Sequence, residues 1–130
     1  LMVEPEIVAR CDDLNDAPDS LIGHEVEWLG CSHLEVSAAL AKRWNFPNEI
    51  VDALVAARDP LAAFPFSPLG AVLRLASTLA DAGDLQLAEV DTLVSVQPEL
   101  MARMDLDAED LVERLLPWDS LTMGVDQLLA

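Results

Sequence analysis

Apolar residues recur at helical spacing between Glu25 and Arg58, a pattern that predicts two amphipathic helices joined by a tight turn. Ser32 and Glu35 form an S-x-x-E capping box, so the first helix is expected to begin near His33. The residues spaced to share one face of this helix, and therefore expected in the core, are His33, Val36, Leu40 and Trp44. These two helices form the centre of the expected fold.

The second central helix follows an Asn-Phe-Pro turn. Pro47 suits the first turn of a helix, where its missing N–H is not needed. The apolar face of this helix is expected to hold Ile50, Ala53, Leu54 and Ala57. The connector 59–68 is rich in proline and apolar residues, so it is expected to be irregular and to pack over the core.

The segments before the central pair also show helical signals. Residues 2–12 carry apolar residues at helical spacing, and residues 12–18 are typical of a polar loop. Asp19 or Ser20 is expected to cap a further helix, which Gly30 ends. The chain up to the central pair is therefore predicted to contain two helices and a loop.

The segments after the connector complete an all-α pattern. Ser67 caps and Pro68 opens a helix that is expected to end at Gly83. Its apolar face is predicted to consist of Leu69, Val72, Leu73, Ala76 and Leu79. Shorter helices are expected around Val90, after Pro98, after Asp107 and from Trp118. No stretch alternates with a period of two for long enough to predict a sheet, so the fold class is all-α.

Length and composition predict a single helical domain over residues 1–130. A chain of 130 residues with 52% apolar residues can build one core. The chain opens on Leu1 within an apolar, periodic stretch, which favours a fragment of a longer protein. No signal peptide is recognisable, and the longest uncharged run, residues 60–73, contains prolines and is too short to cross a bilayer. A soluble, cytoplasmic protein is expected.

The charge balance restricts the classes of partner. With 24 acidic and 7 basic residues, the net charge is -17, which disfavours nucleic acids and anionic membranes because both attract clustered Lys and Arg. The simplest interpretation is a solvated acidic exterior that keeps a Leu- and Ala-rich protein soluble. The alternative is a docking face for a basic partner.

The two cysteines do not form a recognisable metal or disulfide motif. Cys11 and Cys31 lack a C-x-x-C arrangement and a secretory context, so buried reduced thiols are expected. A zinc site that combines them with His24 and His33 does not match the spacing of structural zinc sites. We therefore expect no metal and no other cofactor, and we interpret His24 as a surface residue.

One running motif resembles the HDOD domain, the HD-related output domain of bacterial signalling proteins. The residues that carry the resemblance, without a gap, are Glu25, Leu29, Gly30, His33, Glu35, Val36, Leu40, Trp44, Pro47 and Ile50. The resemblance extends over residues 20–125 and is strongest over 25–58. It implies an HD-domain-like bundle of about six to eight helices that lacks the N-terminal half of the domain.

HDOD domains resemble HD-type phosphohydrolases, whose His and Asp side chains hold divalent metals, and the chain departs from that pattern. The HD dipeptide is absent, and Ala57 and Arg58 occupy the positions of the family's His pair. Ser77 lies where HD proteins place an aspartate. Neither alanine nor a guanidinium can bind a cation, and a hydroxyl is a poor substitute for a carboxylate. The resemblance therefore implies a catalytically inactive relative.

The remaining candidates of this degenerate cleft have structural interpretations. His33 is expected to be a satisfied core residue rather than a metal ligand, and Glu25 a cap or ion-pair partner rather than a general base. Arg58 is expected to pair with an internal carboxylate, with binding of an anion as the alternative. Trp44 is expected in the core. Gly30 and Pro47 match the family motif at structural positions.

Three functions remain as hypotheses. The first, which we favour, is a non-catalytic bacterial signalling module that contacts another protein or an attached domain. The second is a pocket that senses a nucleotide or small anion through Arg58, and the third is a residual metal-dependent phosphohydrolase. If the N-terminal half is missing, an exposed apolar patch and self-association are also expected.

Overall fold

The computed structural model describes the backbone of residues 17–129 and the side chains as far as Met123. This part of the chain is all-helical and contains no strand, which confirms the predicted fold class. Its helices are α1 (Leu21–Leu29), α2 (His33–Arg43), α3 (Asn48–Ala56), α4 (Pro68–Asp84), α5 (Glu89–Val96), α6 (Pro98–Arg103), α7 (Ala108–Arg114) and α8 (Trp118–Leu129). The predicted helix at 2–12 and most of the loop at 12–18 lie outside the described residues.

Several helix boundaries follow the capping signals in the sequence. Gly30 ends α1 in a left-handed conformation, with φ of 78°, which glycine adopts without a steric penalty. The hydroxyl of Ser67 accepts a hydrogen bond from the Gly70 N–H at 3.1 Å and so caps α4. The carboxylate of Asp107 caps α7 in the same manner. These caps confirm the predicted starts of α4 and α7.

The predicted end of α4 at Gly83 is wrong. The helix continues through Gly83 to Asp84, and the chain reverses at Gln86, which has a φ of 58°. A Cβ atom at Gly83 would lie 2.4 Å from the ring of Trp118. Gly83 therefore serves the packing of α8 on α4, because only a residue without a side chain lets the indole approach this closely.

From α2 to α6, each helix packs against the next helix in the chain. α2 packs on α3, α3 on α4 and α4 on α5, while α5 also contacts α6 and α7. One core cluster contains Ala71, Leu75, Leu93, Leu100 and Met101. A second cluster contains Ile22, Leu34 and Ala57. The two clusters place the core along both sides of α4, with α1 to α3 on one side and α5 to α7 on the other.

The predicted core face of α2 is wrong. Val36 and Leu40 are about 40% exposed, and Trp44 is 65% exposed and packs edge-on against Phe46. The buried residues of this helix are instead Leu34, Ala38 and Ala41. These three also lie at helical spacing, and the two alanines let α2 approach α3 closely. The helix therefore buries Leu34 and two alanines and leaves Val36, Leu40 and Trp44 exposed.

The apolar face of α4 agrees with the prediction only in part. Leu73 and Leu79 pack against the core clusters as predicted, but Leu69 and Val72 are about half exposed. The buried residues of α4 include Gly70, Ala71 and Leu75. A Cβ atom on Gly70 would lie 2.9 Å from the carbonyl oxygen of Ala53 and from Cβ of Ala56. The close contact between α3 and α4 thus depends on small residues. The predicted buried faces of α2 and α4 consist mainly of large residues instead.

The connector between α3 and α4 packs over the core only in part. Pro60 is buried, and Phe66 packs against the first core cluster with the Arg103 guanidinium 4.0 Å above its ring. Phe64, in contrast, is 99% exposed. The prediction that this whole segment covers the core is therefore wrong at Phe64.

Candidate functional site

Glu25 and His33 join the end of α1 to the start of α2. The buried Glu25 side chain accepts a hydrogen bond from the backbone N–H of His33 at 3.0 Å. Its other oxygen lies 2.6 Å from Nδ1 of His33, whose ring is about half exposed. The carboxylate therefore caps α2 and holds the imidazole at the surface. His33 is partnered as expected, but it is not a core residue.

The capping box predicted from Ser32 and Glu35 does not form. The Ser32 side chain makes no cap hydrogen bond, and its hydroxyl is buried without a partner among the described residues. Glu35 pairs instead with Arg58. Glu25 accepts from the N–H of His33, the first residue of α2, whereas a serine at the N-cap would accept from the N–H one or two residues further on, so the two groups serve different donors.

Ala57 and Arg58, which the resemblance assigns to the positions of the family's His pair, have separate roles in packing and pairing. Ala57 is fully buried against Ile22 and Leu34. The Arg58 guanidinium pairs with Glu35, and both side chains are partly exposed. Ser77 is partly buried on α4 and makes no side-chain hydrogen bond within the described region. No hydrogen bond or ion pair of the described region joins these residues to His33, which pairs with Glu25.

Arg74 on α4 holds together three parts of the chain. Its Nε and Nη2 donate to the two carboxylate oxygens of Asp19 at 2.6 and 2.9 Å, a bidentate pair. Its Nη1 donates to the backbone carbonyls of Ala57 and Arg58, just after α3. The Asp19 and Arg74 side chains are only 12% and 14% exposed. This nearly buried ion pair ties the entry to α1 and the end of α3 to α4.

Further polar groups extend this network to α5. The side-chain amide of Gln97 donates to Asp19 at 2.6 Å and to the hydroxyl of the fully buried Thr78 at 3.3 Å. The backbone N–H of Asp19 donates to Asp81 at 2.9 Å. Asp19 has a φ of 65°, a conformation that Asp and Asn tolerate better than most residues. Asp19 therefore forms the centre of a network that links α1, α4 and α5.

A cavity of about 580 Å³ opens beside this network. The polar groups along its wall include Arg58, Arg74, Asp19, Asp59 and Gln97. Its apolar wall is formed by Ile22, Val26, Pro60, Leu61 and Leu100. The volume is within the range of small-molecule sites. Because both arginines pair with carboxylates, the cavity has little unopposed positive charge.

The described residues offer no arrangement for metal chemistry. Between residues 17 and 123, no group of three or more His, Cys, Asp or Glu side chains is placed to hold a metal ion. Cys31 is a free, partly buried thiol, and Cys11 lies outside the described part. Among the motif residues, Gly30 ends α1, Pro47 precedes α3 and Trp44 is exposed at the end of α2.

Sequence reasoning missed Arg74, Asp19 as its partner, and Gln97. One signal was available for Arg74, because it is the only charged residue between Asp59 and Asp81. A cation that stands alone in an apolar helix is buried only if a partner neutralises it. No comparable signal identifies Asp19 among the many acidic residues, or Gln97, because their approach to Arg74 is set by the packing of α1, α4 and α5.

The first part of the chain matches a known protein family. Residues 2–60 match the family model of the HDOD domain. The match includes the whole stretch 25–58, so it confirms the resemblance predicted from Glu25, Gly30, His33 and the residues that follow. No curated protein and no solved structure matches the chain.

The HDOD match places the Glu25–His33 pair and the Ala57–Arg58 position within one family segment. In the matched segment the motif's Glu and His bind each other, and the motif's Gly30 turns the chain between them. The three residues together form the connection between α1 and α2. Among the described residues, no helix is long and apolar enough to cross a membrane.

Proposed function

We propose that this HDOD-containing chain is a non-catalytic regulatory module of bacterial signalling that acts in the cytoplasm through contacts with other proteins or with an attached domain. The proposal rests mainly on the burial of Ala57 and the ion pair of Arg58. One is fully buried in an apolar cluster, and the other pairs with Glu35. Neither side chain can serve a divalent metal, so the chemistry of HD phosphohydrolases has no support at this position.

The surface supplies further support for a role in contacts. Large apolar side chains on the outside of α2 and the turn after it include Val36, Leu40, Trp44 and Phe46. Exposed apolar groups of this size are typical of surfaces that bind other proteins. A regulatory role also agrees with the output-domain character that the family resemblance implies.

The proposal is tested by measuring bound metal and hydrolysis. The purified chain is incubated with Mn²⁺, Fe²⁺ or Zn²⁺, desalted and submitted to elemental analysis, and phosphodiester hydrolysis is measured on the same samples. We expect far less than one metal per chain and no hydrolysis above buffer. Near-stoichiometric metal, with hydrolysis that is lost in His33→Ala but retained in His24→Ala, would contradict the proposal.

A second candidate function is the sensing of a nucleotide or small anion in the cavity beside Arg74. The observation in its favour is the 580 Å³ volume with Arg58 and Arg74 on its wall. An anion would have to displace Glu35 from Arg58, because Arg74 is held by Asp19 and two carbonyls. The competition with Glu35 makes this candidate weaker than the first.

Thermal unfolding with millimolar nucleotides tests this second candidate. A ligand at about 100 times its Kd stabilises the native state by about 2.7 kcal/mol. A rise in Tm that is abolished in Arg58→Ala and kept in the control Arg43→Ala would establish the sensor. An unchanged Tm for every nucleotide would eliminate it at these concentrations.

A further inference from the structure

We propose that the groove between α3 and the connector 59–67 binds a basic segment of another protein, one that carries arginine or lysine beside a large apolar side chain. This inference rests on the proposed function, because it assigns a surface and a class of partner to a module that acts by contact. The argument uses the groove's shape, its charge, its exposed aromatic ring and its rigidity.

The groove is large and mostly apolar. It has a volume of about 850 Å³ and lies between the outer face of α3 and the residues that lead into α4. Val55, Phe64 and Leu69 line it, and each has at least half of its side chain exposed. A partner that inserts an apolar side chain here removes this surface from water, at a gain of roughly 25 cal/mol per Å².

Two carboxylates border the groove without a cation. Glu49 and Asp52 lie one turn apart on α3, both are exposed, and neither belongs to an ion pair within the described residues. The whole chain carries a net charge of -17. A second copy of this chain, or an anionic membrane, would therefore be repelled, whereas a basic segment would be attracted.

The ring of Phe64 provides a second site for a cation. It is 99% exposed and has no aromatic or cationic partner among the described side chains. The neighbouring Phe66 already carries the Arg103 guanidinium 4.0 Å from its ring centroid. The same contact between Phe64 and an arginine of a partner would use the negative face of the ring.

Two prolines remove backbone donors from the groove. Pro65 and Pro68 line it and have no N–H group. Lysine and arginine side chains are donors only, and the carboxylates of Glu49 and Asp52 can accept from them. The carboxylates and the aromatic ring therefore favour the same class of partner.

The groove is fixed by the contact between α3 and α4. Gly70 approaches Ala53 and Ala56 so closely that a Cβ atom would lie 2.9 Å from either residue. The hydroxyl of Ser67 also caps α4 at the end of the connector. A groove whose two walls are held in this way needs little reorganisation on binding, which favours affinity.

The binding test uses a fluorescently labelled amphipathic peptide of arginine and leucine and the matched peptide of glutamate and leucine. Fluorescence anisotropy gives Kd for the chain and for two doubly neutralised variants. Glu49→Gln/Asp52→Asn changes the groove, and Glu109→Gln/Asp110→Asn makes the same two exchanges at exposed positions in the first turn of α7. Both variants have the same net charge, so a general attraction to an acidic protein affects them equally.

We expect the arginine peptide to bind and the glutamate peptide not to bind. The groove variant should raise Kd about fivefold, because each rim carboxylate contributes modestly, whereas the α7 variant should raise it by less than about twofold. Phe64→Ala should raise Kd about tenfold, while Val112→Ala, an exposed apolar control on α7, should leave it unchanged. Circular dichroism and thermal unfolding verify that all variants fold.

Two outcomes overturn the inference. The first is that the arginine peptide does not bind. The second is that Kd rises equally in the groove variant and the α7 variant, because this would show attraction to the net charge alone. Elemental analysis of the same preparation separates this failure from that of the proposed function. Metal-free, inactive protein that fails to bind the peptide refutes only the groove, whereas metal-loaded, hydrolytic protein refutes the regulatory proposal whatever the peptide does.

Discussion

The Asp19→Asn substitution tests whether the Asp19–Arg74 pair holds the described fold together. It removes the negative charge beside Arg74 and keeps the size of the side chain. Asparagine is a better choice than alanine, because Asp19 has a φ of 65° and asparagine tolerates this conformation. The hydrogen bond from the Asp19 N–H to Asp81 uses the backbone and is retained. The variant therefore removes the charge and one of the two oxygens that accept hydrogen bonds from Arg74 and Gln97.

The expected loss follows from the burial of the pair. The side chains are 12% and 14% exposed, so Arg74 would keep a nearly buried charge without its carboxylate. Breaking such a pair costs roughly 3–5 kcal/mol, and the residual exposure places the expected loss near the lower limit, at about 3 kcal/mol. The loss corresponds to a decrease in Tm of roughly 10 °C for a domain of this size.

Urea unfolding followed by circular dichroism measures the loss. Asp59→Asn is the control, because Asp59 borders the same cavity but is exposed and is in no ion pair of the described region. The double variant Asp19→Asn/Arg74→Met should lose less stability than the two single variants added together, since no unpaired charge remains. A loss for Asp19→Asn below about 1 kcal/mol, or one equal to that of Asp59→Asn, would refute the role assigned to the pair.

Two further substitutions test the packing and capping. Ser32→Ala should change the free energy of unfolding by less than about 0.5 kcal/mol or stabilise the fold, because the hydroxyl is buried without a partner among the described residues. Urea unfolding measures this change. A loss of about 1 kcal/mol, typical of a lost cap, would show that the predicted capping box forms after all. Gly70→Ala should destabilise by roughly 1–3 kcal/mol through overlap with Ala53 and Ala56. The matched control Gly23→Ala, where no atom lies within 4 Å of the new Cβ, should stabilise by roughly 0.5–1 kcal/mol; equal effects of the two glycine substitutions on Tm would contradict the close approach of α3 and α4.

The sequence predicted the helices far better than their buried faces. Caps such as Ser67 and Asp107 act over two or three residues, so local sequence is sufficient to place them. The buried face of α2 depends on which of two apolar stripes meets α3. Size and hydropathy favour the stripe through Leu40 and Trp44, but close helix contact selects the one through Ala38 and Ala41. Only the packing partner decides between them.

The candidate site shows the same limit. The expected ion pair of Arg58 has its partner in Glu35, 23 positions earlier, which the sequence alone did not single out. Glu25 on α1 accepts from the N–H of His33 at the start of α2, a contact that the local sequence of α2 does not reveal. Each of these pairings joins residues on different elements, and periodicity contains no information on which elements meet.

The packing around Ala57 determines whether histidines introduced at positions 57 and 58 could form a metal site of the HD type. Ala57 has no exposed surface and contacts Ile22 and Leu34, and the carbonyl of Ala57 is held by Arg74. An imidazole at position 57 would need a volume that this cluster does not provide, and overpacking of this kind costs roughly 1–3 kcal/mol. A histidine at position 58 would in turn leave Glu35 without its guanidinium partner. The packing around both positions therefore fits alanine and arginine. The proposal of a non-catalytic role thus rests on the contacts of the neighbouring residues as well as on the identities of Ala57 and Arg58.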